Sequence, residues 1–162
     1  MPKEENKLEK LKKDYAKIRK KYGLPEFNRL NEDFGIEKAS ESESDFVIRE
    51  IRRIMIEKVY NYFSLIETLL NPSNTRMSLM SAAKTLSVED REKLSRIYKK
   101  IASIEVELIE VDVDFSEKRE AEFVKEIYKT WQEIKEDILH TARTIKKNWN
   151  NKSESVGKGY FG

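Results

Sequence analysis

The chain has no cysteine, a single histidine and only five glycines among its 162 residues. Without cysteine it has no disulfide framework, no thiolate nucleophile and no Cys-based zinc or iron–sulfur site. Because His140 is the only imidazole, a site that needs two from one chain is excluded. Apolar runs fall short of the roughly 20 residues that a membrane span needs, and the first ten residues lack the apolar stretch of a secretory signal. The expected location is the cytoplasm.

Glycine is missing altogether between residues 36 and 156. Sandwiches, doubly wound sheets and phosphate-cradling loops all depend on tight turns that glycine usually supplies. The sequence therefore predicts an all-α fold: an elongated helical bundle of three to four long helices plus two short helices, with a polar C-terminal tail. High lysine and glutamate content without cysteine gives the composition a thermophile-like character.

Apolar residues recur at helical spacing in four long stretches, about 4–22, 45–70, 88–110 and 116–150, and in short segments about 26–34 and 77–83. Ser87 and Asp90 form a capping-box pattern ahead of the third long stretch. Val111, Val113 and Phe115 alternate with aspartates, which predicts an extended connector after that stretch. The seam of the first helix has the 3-4-3-4 spacing typical of a coiled coil and consists of Leu8, Leu11, Tyr15, Ile18 and Tyr22.

Charge divides the chain into four segments: a basic amphipathic helix (1–23), a short helix and acidic linker (24–45), a bundle core (46–150) and the tail (151–162). The first segment carries nine basic and four acidic residues, a net charge of +5, whereas the second carries a net charge of −5. In one interpretation the first helix packs its seam on the bundle and its lysines form a solvated face. In the other it is a detachable arm that docks on a partner and is screened by the acidic segment when free.

From this pattern we expect a non-catalytic helical adaptor or regulatory factor that binds a larger macromolecule. The first expectation for its partner is another protein, or a second copy of the chain in a homodimer. An RNA- or ribosome-associated factor is the alternative, although no RNP motif or GXXG loop is present. The candidate binding residues lie in the first helix, in one turn of the second long helix and in the tail: Lys12, Lys13, Lys17, Arg19, Lys20, Arg49, Arg52, Arg53, Lys158, Tyr160 and Phe161.

Catalytic chemistry finds little support in the sequence. Asp137 and His140 have the i, i+3 spacing of a metal-binding pair in helical bundles, but a second histidine would have to come from a symmetric dimer. The acidic run from Glu105 to Asp114 suits Mg²⁺ only superficially, because its members fall on different faces of the helix. A metal-dependent helical-bundle enzyme is therefore the lesser alternative. We predict no catalytic residue, no metal site, no cofactor and no small-molecule substrate.

Overall fold

A computed structural model describes the backbone of residues 2–159 and the side chains of residues 6–151. Over that range the chain forms helices and connections without a β-strand, which confirms the all-α prediction. The six α-helices are α1 (Pro2–Tyr22), α2 (Phe27–Phe34), α3 (Val47–Leu70), α4 (Met77–Lys84), α5 (Val88–Val113) and α6 (Glu117–Gly159). A 3₁₀ helix, Ile36–Glu41, lies between α2 and α3. No helix in the described range is long and apolar enough to cross a membrane.

Two glycines end the first two helices. Gly23 and Gly35 have φ values of 69° and 68°, the left-handed conformation that glycine adopts at low cost just past a helix end. The backbone N–H of Gly23 donates to the carbonyl of Arg19 at 2.8 Å, and that of Gly35 donates to Asn31 at 2.8 Å.

The chain divides into two compact units, which do not follow the four charge segments. The first unit consists of Met1–Asn61 and Ala102–Trp131, and the second consists of Tyr62–Ile101 and Gln132–Gly162. Because α3, α5 and α6 each cross a boundary, every one of these helices contributes residues to both units.

The first unit is built around side chains that are almost inaccessible to solvent. Side chains of α1 and α2 join the apolar stripes of α3, α5 and α6 in this core. Its fully or nearly fully buried members include Tyr15, Leu30, Ile36, Ile51, Met55, Val59, Ile104, Phe123, Val124 and Ile127. The 3₁₀ helix takes part through Ile36 and Ala39. The segment expected to be an acidic linker is therefore a structural element, because its two apolar residues are drawn into the core.

The second unit has its own core, to which α4 contributes two alanines. The buried apolar side chains of this unit include Ile66, Leu69, Ala82, Ala83, Leu86, Leu94, Ile97, Ile101 and Ile134. The predicted capping box is confirmed at the start of α5. The Ser87 hydroxyl accepts a hydrogen bond from the N–H of Asp90 (3.1 Å), and the Asp90 carboxylate accepts one from the N–H of Ser87 (3.0 Å).

Two boundaries differ from the sequence prediction. The extended connector expected after residue 110 is wrong for residues 111–113, which continue α5. Val111 is buried and lies seven residues beyond Ile104, so it extends the core stripe of the helix and overrides the local alternation. The last helix, α6, runs through Gly159 and so includes most of the segment that we expected to be a polar tail.

Candidate interaction surface

The first helix is fixed to its unit along its seam. Leu11 and Tyr15 are buried, and the Tyr15 hydroxyl donates a hydrogen bond to the carbonyl of Pro25 at 2.6 Å. The Tyr15 ring meets the ring of Phe27 edge-on at 5.6 Å between centroids. Burial raises the pKa of the Tyr15 hydroxyl above its ordinary value, so the hydroxyl remains a donor at any physiological pH. This arrangement matches the packed helix and not the detachable arm.

Polar contacts fasten the C-terminal end of α1 to the start of α6. The Glu117 carboxylate accepts hydrogen bonds from the Lys21 ammonium (2.9 Å) and from the Tyr22 hydroxyl (2.8 Å). These two contacts lower the pKa of the Glu117 carboxyl, while hydrogen bonding with Tyr22 and Glu117 raises the pKa of Lys21 to about 12. Lys125 also donates to the carbonyl of Tyr22 at 3.0 Å. Because a lowered carboxyl pKa stabilises the fold above the ordinary pKa, the Glu117 contact holds α1 at neutral pH and weakens upon acidification.

Four lysines occupy the side of α1 opposite its seam. Lys10, Lys13, Lys17 and Lys20 follow one another at spacings of three, four and three residues, so they fall within a sector of about 80° at about 100° per residue. All four are exposed. Their one ion pair within residues 6–151 joins Lys17 to Asp14 at 3.1 Å. We call these four residues the lysine face. Lys10 was not among the sequence candidates. Its position three residues before Lys13 identifies it as a member of the same face.

The other two candidates in α1 lie away from the lysine face. The Lys12 ammonium lies 5.7 Å from the centroid of the Phe27 ring, and Arg19 pairs with Glu26 at 3.3 Å. Arg19 also borders an open depression of about 540 Å³ with three further cations, Arg29, Lys125 and Lys129. Lys125 is already engaged by Tyr22 and Glu122, and carbonyl groups end α1 there, so the depression is poorly suited to an anion.

The acidic segment borders the lysine face without covering it. Lys10 shares a groove of about 370 Å³ with Glu43 and Asp45. Within residues 6–151, Lys13 and Lys20 have no ion pair. The screening expected of residues 24–45 is thus confined to one edge of this face and to the pairing of Arg19 with Glu26.

The three arginines of α3 differ from one another in what they contact. Arg52 is a core residue whose guanidinium contacts the fully buried Glu120 at 2.8 Å and Asp112 at 3.0 Å. Arg49 lies 3.4 Å from Glu120 and 3.9 Å from the centroid of the Phe115 ring. Arg53 is exposed and pairs with a glutamate one turn away. The structure therefore places Arg52 and Arg49 in an internal ion-pair network, and Arg53 is the member of this cluster that is open to solvent.

The remaining candidates lie at the C-terminus or concern metal chemistry. Tyr160 and Phe161 lie outside the described residues, and only the backbone of Lys158 is described. His140 is exposed. Among the described residues, no group of three or more histidine, aspartate or glutamate side chains is arranged to hold a metal ion.

Comparisons of this chain with protein-family models, with curated proteins and with solved structures find no match. The surfaces of the chain itself are therefore the guide to its function.

Proposed function

We propose that this protein is a non-catalytic helical adaptor or regulatory factor whose lysine face binds an acidic protein surface. One observation carries the proposal: the seam of α1 is buried at Leu11 and Tyr15, while four exposed lysines form a basic row on the opposite side. A helix held on one side presents its other side in a fixed geometry. Binding therefore does not have to offset the cost of ordering the helix, which favours a specific contact.

The composition of the lysine face favours protein over RNA. Proteins that bind single-stranded RNA usually stack bases on exposed aromatic side chains. The lysine face has no aromatic member, and the Tyr15 ring of the seam contacts Phe27. The exposed Phe46, which shares a groove with Lys17, contacts the ring of Phe115. RNA or ribosome binding through phosphates alone remains the second candidate, because a lysine row attracts any polyanion.

The test is charge reversal of the lysine face, K10E/K13E/K17E/K20E, measured against two probes. Fluorescence anisotropy follows binding of an acidic peptide and of oligouridine at about 50 mM and about 200 mM salt. Exposed ion pairs contribute roughly 0.2–1 kcal/mol each, so the loss of four of them should weaken binding of the acidic peptide at least about fourfold.

The matched control is K84E/K99E/K146E/K147E, which makes the same change in net charge at four exposed lysines of the second unit. It should bind the acidic peptide as the wild type does. If oligouridine binds more tightly than the peptide and its affinity falls steeply with salt, the RNA alternative replaces the proposal. If both charge-reversed variants weaken binding equally, the lysine face is not the site.

The proposal has two further parts. One is a contact through Lys158, Tyr160 and Phe161, and the other is the formation of a homodimer. A chain ending after residue 150 tests the first by the same anisotropy titration. Sedimentation velocity of the full chain tests the second.

A further inference from the structure

A second surface of the first unit has an apolar row that faces solvent. Val106, Ile109 and Val113 of α5 are 62%, 64% and 83% exposed. They follow one another at three and four residues and so lie on one side of the helix. At about 100° per residue, this side is opposite the buried stripe that contains Ile104 and Val111.

Acidic residues border this row on both sides. On the same helical projection, Glu105 and Asp112 flank it on one side, while Glu107, Glu110 and Asp114 flank it on the other. Residues 102–115 contain no lysine or arginine. We call this surface, the apolar row with its acidic borders, the α5 outer face.

The carboxylates of this face are only partly compensated within the chain. Asp112 pairs with Arg52 at 3.0 Å and Asp114 pairs with Arg119 at 3.1 Å. Glu105, Glu107 and Glu110 have no ion pair within residues 6–151. Burial, and after it the negative charges of Glu126 and Glu110, raise the pKa of the Glu107 carboxyl.

We propose that the α5 outer face docks a basic amphipathic helix of a protein partner. Apolar side chains of such a helix would cover Val106, Ile109 and Val113, whose i, i+3, i+7 positions are those that packed helices use. Its lysines or arginines would lie against the two acidic borders. This contact goes beyond the proposed function, since it concerns another surface and a partner segment of the opposite charge.

A second copy of this chain does not fit the same surface. Two α5 outer faces would bring acidic borders together, which is repulsive. The lysine face of another copy has the right charge, but its four members are all lysines and supply no apolar row to cover Ile109 and its neighbours. Charge complementarity therefore points to a different protein.

The test uses a synthetic amphipathic peptide with leucines at i, i+3, i+7 and i+10 and lysines on both sides of that row. One control peptide carries glutamate in place of every lysine, and another has the same composition in scrambled order. The binding constant is measured by fluorescence anisotropy with the full chain, and NMR of the methyl groups of Val106, Ile109 and Val113 localises the contact. We expect those methyl signals to shift with the basic peptide and not with either control peptide.

Variants of the chain separate the apolar and the charged contributions. V106S/I109S/V113S should weaken binding at least about tenfold, because the burial of the apolar row is lost. E105Q/E107Q/E110Q should weaken binding less and flatten its dependence on salt. The matched controls are M77S/V88S, which alters two apolar residues that are 85% and 75% exposed, and E67Q/E92Q/E136Q, which alters three exposed glutamates. Both controls should bind as the wild type does.

Three results would overturn the proposal. Equal affinity of the scrambled and the ordered peptide contradicts the proposal, because the proposed contact depends on the order of apolar and basic residues. If V106S/I109S/V113S binds the basic peptide with unchanged affinity, the peptide does not bind at the α5 outer face. Self-association of the wild type that this triple variant abolishes, seen by sedimentation velocity, assigns the face to a second copy of the chain.

Discussion

Replacing Glu120 by alanine is expected to lower the free energy of unfolding by about 3–5 kcal/mol, the usual cost of leaving one member of a buried ion pair without its partner. The carboxylate of Glu120 is fully buried and accepts two hydrogen bonds from the guanidinium of Arg52, at 2.8 and 3.3 Å. Without the carboxylate, Arg52 keeps a buried charge whose remaining partner, Asp112, is more than half exposed. Urea denaturation followed by circular dichroism measures the change.

Two further variants show that the loss comes from the unpaired charge. R52M/E120L removes both charges, and it should recover most or all of the lost stability because hydrophobic residues of similar size replace buried ion pairs at little cost. Glu133→Ala, which breaks the exposed contact with Lys100 at 2.7 Å, should cost less than about 1 kcal/mol. A Glu120→Ala variant as stable as Glu133→Ala would contradict the buried network.

Replacing Tyr15 by alanine should destabilise the protein by about 3–5 kcal/mol, as expected when a large core side chain is removed. Tyr15 is 1% exposed and supplies both the ring contact with Phe27 and the hydrogen bond to Pro25. Tyr15→Phe keeps the ring and loses the hydrogen bond, so it should cost about 1 kcal/mol. The same urea titration measures both variants.

Lys13→Ala is the control on the same helix, and it should change the stability by no more than about 0.5 kcal/mol because the residue is exposed. If Tyr15→Ala were as mild as Lys13→Ala, the seam would not hold α1 to its unit. The detachable arm would then be the better description.

Periodicity in the sequence was sufficient to predict most of the helical architecture. The buried stripe of α3 and the capping box of Ser87 and Asp90 are local patterns, and both are present in the structure. The prediction of an extended connector was wrong for residues 111–113, because alternation over five residues is only a local pattern. Burial of Val111 against the core depends on tertiary packing, and it outweighed the local alternation.

The candidate surfaces were harder to predict, because whether a charged side chain is paired or exposed depends on residues far along the chain. Arg52 and Arg53 are neighbours of identical type, yet one pairs with Glu120, 68 positions away, and the other is exposed. Arg52 lies four residues after the buried Ile48 and three before the buried Met55, but nothing local to α3 identifies Glu120 as its partner. The apolar row of the α5 outer face, in contrast, follows from the spacing of Val106, Ile109 and Val113. The expectation of an extended connector interrupts that row before Val113.

The most direct test of this account is hydrogen exchange of the backbone amides of α1 in the full chain. If the buried seam fixes the helix and thereby orients the lysine face, amides around Leu11 and Tyr15 should be protected to about the same degree as those of α3 near Ile51 and Met55. Exchange of the α1 amides at the rate of an unfolded peptide, while those of α3 remain protected, would contradict it.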